Sequence, residues 1–437
     1  MKARIWLAAA TLAASLAYGG AAMAQTTPSA TPTPGACTIS TLPDDSTPNC
    51  ATGAEEPPAF LGVSGGNINN VASDKSGNYT CGTGTLGALV QDSSGNPYVL
   101  STNHVLARNS ATSKGSARAN EALVQPGLQD LGCWQDTTAT VAGLSKWVPL
   151  SFSKGTNAMD AAIGKVVSKD QNPGSNPVPG IDPLGRIFNV GQISTTPFNY
   201  DDLVIGLPVI KMGRTSCLTS GLIDSFDAMG AVVYPGGANA AASGTAFFDH
   251  QILVFGAALN SDSNTGCTFA EQGDSGSLVL TDDFTCPQAI GMVFAASSGT
   301  SYGPDAGGQI VAVTPIQTIL DKFKVTLVGQ QCTESSAPPP SSNTPPSFTT
   351  LGAPAHMSDA MRASVERMRQ IKNAHAEHLL MHHAEIAAIG IGTGDDADSA
   401  ALNVYLRDDS ALIRSEVQKE LQGAKINYKH LGRLNAL

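Results

Sequence analysis

The sequence predicts a β-rich main domain over residues 59–328, followed by a small α/β domain over residues 355–437. In the first segment, short apolar runs such as residues 85–90 and 98–100 alternate with clusters of Gly, Pro, Asn, Asp and Ser, and residues 92–96 predict a hairpin turn. Many short strands with such turns are typical of a β-barrel or a β-sandwich, and not of alternating strands and helices. The 45 glycines and the aromatic content of 5% agree with strands joined by tight turns.

The overall composition excludes two broad classes of protein. Apolar residues make up 42% of the 437 residues, which is more than a disordered chain contains. The 36 acidic residues outnumber the 25 basic ones, so the formal net charge is −11 and no basic excess is available to bind nucleic acid phosphates. A chain of this length is expected to form two or more structural units.

The first 24 residues have the pattern of a signal peptide. Lys2 and Arg4 precede an apolar run over residues 5–18, and Ala22 and Ala24 form the small-x-small pattern that a signal peptidase recognises. No later apolar run has the length of a membrane span, and no Cys stands directly after the expected cleavage site. We therefore expect an exported protein without a membrane anchor, either secreted or periplasmic.

Composition also divides the rest of the chain. Residues 25–58 are rich in Thr and Pro and are expected to form an extended leader or linker, while the Pro/Ser-rich residues 329–354 are expected to link two domains. Residues 355–437 carry 10 basic and 11 acidic side chains and are more densely charged than residues 25–354. We interpret residues 355–437 as a separate small domain.

The cysteines agree with export. All eight lie after the expected cleavage site, and an even number in an oxidising compartment predicts up to four disulfides. We expect the most local pairs, Cys37–Cys50 and Cys267–Cys286, to be among them. The absence of a Cys-x-x-Cys pair argues against a zinc ribbon or a thioredoxin-like centre.

One serine between glycines indicates nucleophilic chemistry. Ser275 lies in the sequence Gln-Gly-Asp-Ser-Gly-Ser, residues 272–277. A serine hydroxyl is a poor nucleophile until a base removes its proton, so a histidine and an orienting carboxylate are required. The β-rich segment contains only two histidines, His104 and His250. His104 follows the second strand of the predicted hairpin, and Asp160 begins a later apolar run, so these two are the candidates.

The three motifs resemble those of the chymotrypsin/trypsin-like serine peptidases. Thr-Asn-His104-Val, Asp160-Ala-Ala-Ile and Gln-Gly-Asp-Ser275-Gly are similar to the motifs of that family and follow its order of His, Asp and Ser. The resemblance covers about residues 76–324 and is greatest to a bacterial exported branch with Asn-His and Gly-Asp-Ser-Gly-Ser motifs. It implies an all-β double six-stranded barrel (chymotrypsin-like) with the small C-terminal α/β domain appended.

The resemblance also implies the roles of individual residues in an exported serine endopeptidase that cleaves protein or peptide substrates. Ser275 would attack the carbonyl carbon, His104 would accept the hydroxyl proton, and Asp160 would orient the imidazole. The backbone N–H groups of Gly273 and Ser275 would form the oxyanion hole. Phe269 falls where the family places the base of the substrate pocket, and the lack of a carboxylate there argues against a preference for Lys or Arg. No cofactor and no metal is implied.

Two alternatives to a peptidase stay open at this point. One is a catalytically inactive trypsin-like module that binds proteins through the same cleft, and the other is an esterase with the same three residues. One departure from the family is that no Ile-Val-Gly-Gly-like segment is found to supply a new N-terminus for Asp274. The sequence therefore leaves the partner of Asp274 open. His250 matches none of the family motifs and is expected to have a structural role.

The C-terminal segment is predicted to begin with a long helix. Apolar residues recur every three or four positions from Met357 to Ile371, so a helix is expected over about residues 358–382. His375, His378 and His382 continue on a similar face. A helical His-x-x-x-His pair can bind Zn²⁺, but solvated or interfacial histidines are the preferred interpretation.

The rest of this segment is predicted to add strands near residues 386–391, 401–406 and 425–430 and a helix over about residues 411–421. Its Ile-Gly-x-Gly…Val-Tyr-Leu pattern resembles a small accessory module found beside bacterial trypsin-like peptidases. We expect residues 355–437 to make an intramolecular or partner contact, either as an autoinhibitor or as a binding site for another protein.

Overall fold

The computed structural model describes residues 36–39, 42, 49–111, 117–152, 155–169, 177–236, 243–258, 266–297, 308–332 and 357–437. The predicted signal peptide, most of the leader and most of the linker over residues 329–354 lie outside the described residues. None of the helices in the described part of the chain has the length and apolar character that a membrane crossing requires.

Strands dominate the described residues, and helices are few. In chain order, the strands are β1 (Val63–Asn67), β2 (Val71–Ser73), β3 (Tyr79–Cys81), β4 (Gly84–Leu86), β5 (Ala88–Asp92), β6 (Pro97–Ser101), β7 (Ala122–Val124), β8 (Thr140–Trp147), β9 (Thr156–Asn157), β10 (Ala162–Val166), β11 (Ser168–Lys169), β12 (Val178–Pro179), β13 (Pro208–Gly213), β14 (Cys217–Tyr234), β15 (Gly244–Gly256), β16 (Leu278–Thr281), β17 (Ala289–Ser297), β18 (Ile310–Pro315), β19 (Val325–Leu327), β20 (Ile386–Thr393), β21 (Ala400–Leu406), β22 (Ile426–His430) and β23 (Leu434–Ala436). The α-helices are α1 (Asn103–Leu106), α2 (Ile316–Phe323), α3 (Asp359–His382) and α4 (Ala411–Glu420). The prediction of a β-rich fold is confirmed.

The first large sheet has the strand order β19-β5-β6-β10-β8-β7-β1-β4. Only Gly87 separates β4 at one edge from β5 near the other, so the sheet curls back towards itself. The predicted hairpin is the antiparallel pair of β5 and β6. Its turn is held by the Asp92 carboxylate, which accepts hydrogen bonds from the backbone N–H groups of Ser94 and Asn96 at 2.9 and 3.0 Å.

The second large sheet follows the order β22-β21-β20-β14-β13-β16-β17-β18-β15-β9, and β23 pairs with both β14 and β17. Its core contains Val209, Val254 and Val313 from the β-rich segment together with Met368 and Leu402 from the C-terminal segment. The strand β20 pairs antiparallel with β14, so the C-terminal segment extends this sheet. The strands of residues 386–430 are therefore joined to the β-rich segment, residues 59–328, by backbone hydrogen bonds.

Helix positions follow their sequence signals within a few residues. Helix α3 begins after Ser358, whose hydroxyl accepts a hydrogen bond from the N–H of Met361 at 3.0 Å, and it buries Met361, Val365 and Met368. Helix α2 begins directly after Pro315, the last residue of β18, and it buries Ile316, Ile319 and Leu320. The strand β23 was not predicted, since its three residues carry no alternating pattern.

The predicted local disulfides are wrong, although the chain does contain four. The pairs are Cys37–Cys267, Cys50–Cys217, Cys81–Cys133 and Cys286–Cys332. The reason is that the segment around Cys37 runs beside the distant connection between β15 and β16: the N–H of Cys37 donates to the carbonyl of Thr268 at 2.8 Å. Such cross-links depend on tertiary neighbours, which sequence separation does not reveal.

Candidate active site

His104 and Asp160 form a hydrogen-bonded pair. The antiparallel pairing of β6 with β10 sets Ser101 opposite Ala162, which brings the residues after β6 next to the residues before β10. Asp160 Oδ2 lies 2.6 Å from His104 Nδ1, and its Oδ1 accepts the backbone N–H of His104 at 3.2 Å. These two contacts from the buried Asp160 carboxylate determine the position of the His104 backbone and the orientation of its ring.

Asn103 explains the Asn-His motif. Its side-chain amide donates to the carbonyls of Ser110 and Val148 at 3.0 and 2.7 Å, and its Oδ1 accepts the N–H of Ser110 at 2.9 Å. These three bonds hold the short helix α1 against the neighbouring loops. The ring of His104 therefore projects from a rigid support.

Tyr234 is a site residue that the sequence analysis missed. Its buried hydroxyl donates to Asp160 Oδ2 at 2.7 Å, and its ring packs edge-on against the His104 ring with centroids 5.9 Å apart. Burial, together with the neighbouring Asp160 charge, raises the pKa of Tyr234 well above its ordinary value, so the hydroxyl stays a neutral donor. In the sequence, Tyr234 is simply the last residue of an apolar run, and nothing there distinguishes it from a core residue.

Replacing Tyr234 with Phe is expected to lower the free energy of unfolding by about 1.5–3 kcal/mol, because a buried carboxylate loses a hydrogen bond. Tyr98→Phe is the matched control, since that hydroxyl donates to Asp92 Oδ2 at 3.2 Å at a surface turn and should contribute far less. Guanidinium denaturation of both variants measures the difference. Equal effects of the two substitutions would show that the Tyr234 hydroxyl does not support Asp160.

The loop around Ser275 requires glycine on both sides. Gly273 and Gly276 have φ of +103° and +98°, a region that side chains disfavour. A Cβ at Gly276 would lie 2.1 Å from Ser101 Oγ, and one at Gly273 would lie 2.5 Å from Thr215 Oγ1. The two glycines of the Gly-Asp-Ser-Gly sequence thus stand where a residue with a side chain would strain the backbone.

The first sheet holds this loop in place. Thr85 of β4 donates its backbone N–H to the carbonyl of Ser275 at 2.8 Å and its hydroxyl to the carbonyl of Gly273 at 2.9 Å. Among the described residues, the backbone N–H groups of Gly273 and Ser275 have no hydrogen-bond acceptor. Two donors next to the serine hydroxyl are therefore available to an oxygen atom that approaches Ser275.

The Ser275 hydroxyl and the His104 ring both lie beside the end of the chain. Ser275 Oγ is buried and donates to the carbonyl of Phe294 at 3.2 Å, and the same carbonyl accepts the N–H of Leu437 at 3.2 Å. His104 Nε2 lies 2.8 Å from the carbonyl oxygen of Leu437. The structure thus joins His104 to Asp160 directly. It relates Ser275 to His104 only through Leu437, whose carbonyl oxygen lies beside His104 and whose N–H shares the Phe294 carbonyl with Ser275 Oγ.

Asp274 has a partner that the sequence analysis left open. The ammonium group of Lys211, in the middle of β13, lies 3.4 Å from Asp274 Oδ2, and both side chains are fully buried. The Asp274 carboxylate also accepts hydrogen bonds from the N–H groups of Thr215 and Glu271 at 2.7 and 2.9 Å. Burial lowers the pKa of Lys211. A lone Lys within the apolar run of residues 209–212 was the signal that could have identified it.

Phe269 lies next to the cleft, but its ring is turned into the core. The ring is fully buried and lies 5.7 Å from Lys211 Nζ. Its neighbours Thr268 and Ala270 line a cavity of about 530 Å³ that also borders Leu437. The structure therefore places Phe269 in the core and not among the described residues that line this cavity.

The remaining histidines lie in other surroundings. His250 Nδ1 lies 2.8 Å from Asp227 Oδ1, and the His250 ring packs against Tyr200. His378 faces Glu420 at 3.2 Å. In the part of the chain that the structure describes, no three His, Cys, Asp or Glu side chains are grouped so as to hold a metal ion.

Several solved structures share a limited similarity with this chain. A glutamic-acid-specific serine protease matches with a TM-score of 0.34 and 17% identity, over 62% of this chain and 100% of the other. Protease A from Thermobifida fusca matches with a TM-score of 0.33 and 18% identity, over 61% and 98% of the two chains. A chymotrypsin from Cellulomonas bogoriensis matches with a TM-score of 0.29 and 14% identity, over 61% and 98%.

At these TM-scores, the similarity assigns neither an activity nor a substrate to this chain. The chain matches no protein-family model and none of the curated proteins.

Proposed function

We propose that this protein is an exported serine endopeptidase that hydrolyses peptide bonds with His104, Asp160 and Ser275. One observation carries the proposal: His104, paired with a buried carboxylate through Nδ1, presents Nε2 at 2.8 Å to the backbone oxygen of Leu437, whose N–H shares the Phe294 carbonyl with Ser275 Oγ. A base, an orienting carboxylate and a nucleophile that all lie near one residue of a bound segment are the parts that acyl transfer requires.

The reaction follows from these positions. Ser275 Oγ attacks the carbonyl carbon while His104 Nε2 accepts the hydroxyl proton, and Asp160 stabilises the imidazolium that forms. The N–H groups of Gly273 and Ser275 stabilise the negative oxygen. The C–N bond then breaks as His104 returns the proton to the leaving nitrogen. Water, activated by the same imidazole, hydrolyses the resulting ester and releases the acid.

The proposal extends to the architecture and the location of the protein. In this proposal, strands of the first sheet form one six-stranded barrel of a chymotrypsin-like fold, which carries His104 and Asp160. Strands of the second sheet form the other barrel, which carries Ser275. The Lys211–Asp274 ion pair supports the loop of Ser275 from within the second sheet, so a new N-terminus is not needed for that purpose. Export is supported by the residues of the predicted signal peptide and by the four disulfides.

A fluorophosphonate probe tests the proposed chemistry without knowledge of the substrate. We expect the wild-type chain to be labelled and Ser275→Ala to lose labelling, because the oxygen that the probe modifies is gone. His104→Ala should lower the labelling rate by about 10⁶-fold, because the residues act as a unit. His250→Ala is the matched control and should label at the wild-type rate. A folded wild-type chain that never labels would contradict the proposal and favour the inactive protein-binding module.

The esterase alternative is tested with substrates that differ in the leaving group. We expect hydrolysis of casein as well as of a short nitrophenyl ester, because His104 can protonate an amine leaving group. Hydrolysis of the ester alone by a chain that labels at Ser275 would support an esterase and overturn the peptidase assignment.

A further inference from the structure

The last four described residues lie in the cleft between His104 and the second sheet. Strand β23 pairs antiparallel with β17, with Ala436 opposite Ala295 and Leu434 opposite Ser297. On its other side, β23 pairs parallel with the end of β14. A short segment that is hydrogen-bonded on both sides is held in one register and direction.

This register places residue 437 where the reaction proposed above needs the carbonyl of its substrate. The N–H of Leu437 donates to the Phe294 carbonyl, the carbonyl of Leu437 lies 2.8 Å from His104 Nε2, and Ser275 Oγ contacts the same Phe294 carbonyl. Residues 434–436 precede this carbonyl in the chain. The segment therefore occupies the acyl side of the cleft, on the N-terminal side of the bond that would be cut.

The segment also separates two cavities. One of about 590 Å³ is bordered by Arg108, Gln129 and Leu437, and the other, of about 530 Å³, is bordered by Ala270, Gln309 and Leu437. Ala436 and Leu437 line both of them. They are thus two parts of one cleft that this segment divides, and a substrate strand can reach β17 only after the segment has left.

The rest of the C-terminal segment holds these residues near the cleft. The C-terminal segment is linked to the β-rich segment by the pairing of β20 with β14. Two ion pairs add to this link: Lys372 to Asp249 at 2.9 Å, and Lys429 to Asp224 at 2.5 Å. Leu434 is fully buried at the start of the segment. A tethered segment binds as if present at about millimolar concentration, so even weak affinity keeps the cleft occupied.

We propose that residues 434–437 are a built-in competitor for the substrate cleft and that their sequence reports the substrate class. The inference rests on the proposed peptidase function. The preferred substrate is a peptide with a leucine-like side chain directly before the bond that is cut. Leu437 is partly buried against the core that contains Ala270 and Ala296, and an apolar contact of this kind discriminates between side chains by about 10- to 200-fold.

Weakening or removing residues 434–437 tests whether they compete with the substrate for the cleft. We compare fluorophosphonate labelling and turnover of acetyl-Leu-Asn-Ala-Leu-nitroanilide by the full chain, by Leu437→Asp and by a chain without residues 434–437. Both changes are expected to raise the rates at least about tenfold, because the competitor is weakened or absent. Leu437→Met keeps the apolar contact, and Lys425→Ala changes only the surface. Both variants should therefore behave as the full chain. Equal rates in all five chains would overturn the proposal.

Nitroanilide peptides with Arg or Glu in place of the final Leu test the proposed preference for a leucine-like side chain. The chain without residues 434–437 should prefer Leu in kcat/KM by about tenfold or more. A preference for Arg or Glu would overturn the assignment of the substrate class.

Hydrogen exchange, which needs no activity, tests the occupancy of the cleft separately from the proposed peptidase function. In the inactive Ser275→Ala chain, hydrogen exchange of a peptide that covers residues 434–437 should be slow, and adding Leu437→Asp should make it fast. Protection without labelling of any chain would refute the proposed function and support the occupancy of the cleft. Fast exchange in Ser275→Ala, together with rapid labelling of the full chain, would overturn the occupancy and leave the function intact.

Discussion

Replacing Asp160 with Asn is expected to lower kcat for peptide hydrolysis by about 10⁴-fold. The carboxylate faces three donors: His104 Nδ1, the backbone N–H of His104 and the hydroxyl of Tyr234. An amide has only one acceptor oxygen. In one orientation its NH₂ group opposes the backbone N–H, and in the other it donates to Nδ1 and moves the imidazole proton to Nε2, where it blocks proton transfer from Ser275.

The matched control is Asp182→Asn, which alters another buried carboxylate whose partner is Arg186 at 2.7 Å. This variant should lose stability but keep kcat. Steady-state hydrolysis of the nitroanilide peptide, measured in the full chain and in the Leu437→Asp chain, gives the comparison. If Asp160→Asn and Asp182→Asn lower kcat equally, Asp160 has no special relation to the imidazole.

Removing the charge of Lys211 is expected to be the most damaging single change to stability. In Lys211→Met, the buried Asp274 carboxylate loses its cation, and leaving a buried charge unpaired costs about 3–5 kcal/mol of unfolding free energy. Asp274 directly precedes Ser275 in the loop, so fluorophosphonate labelling should fall as well. Denaturation midpoints and labelling rates, measured on the same preparation, test both effects.

Two further variants separate the ion pair from general loss of a buried lysine. In Lys211→Met combined with Asp274→Asn, the buried charge is gone, and much of the lost stability should return. Lys372→Met removes another buried lysine, which lies 3.3 Å from Asp227. In a chain without residues 434–437, where Lys372 no longer holds the competitor near the cleft, this change should lower stability without affecting labelling. Equal labelling by wild-type, Lys211→Met and Lys372→Met would show that the ion pair does not support the loop.

Local sequence patterns were sufficient for several elements. The hairpin of β5 and β6 is encoded by two apolar runs around an Asx turn, and α3 by a capping serine and an apolar repeat with helical period. The glycines around Ser275 are also readable locally, since only glycine adopts their backbone conformations readily. In each case, the interacting residues lie within a few positions of one another.

His104, Asp160 and Ser275 could be named from motifs and their order, but their relation could not. The pairing of β6 with β10 brings together residues 56 positions apart, and Thr85 holds a loop nearly 190 positions away in the chain. The separation between these groups depends on strand register, and a motif contains no information about register. The motifs therefore name the groups but do not predict that the Leu437 carbonyl lies beside His104.

The sequence by itself determined the β-rich class, the long C-terminal helix and the residue types that carry the proposed chemistry, because these depend on local periodicity and on side-chain reactivity. Only the tertiary structure decided the disulfide partners and the position of Leu437 in the cleft. It also decided that Tyr234 supports Asp160 and that Lys211 supports Asp274. All of these contacts join residues far apart in the chain. They form because burial makes an unpaired polar group costly, and a buried group is satisfied by whichever partner the fold brings near.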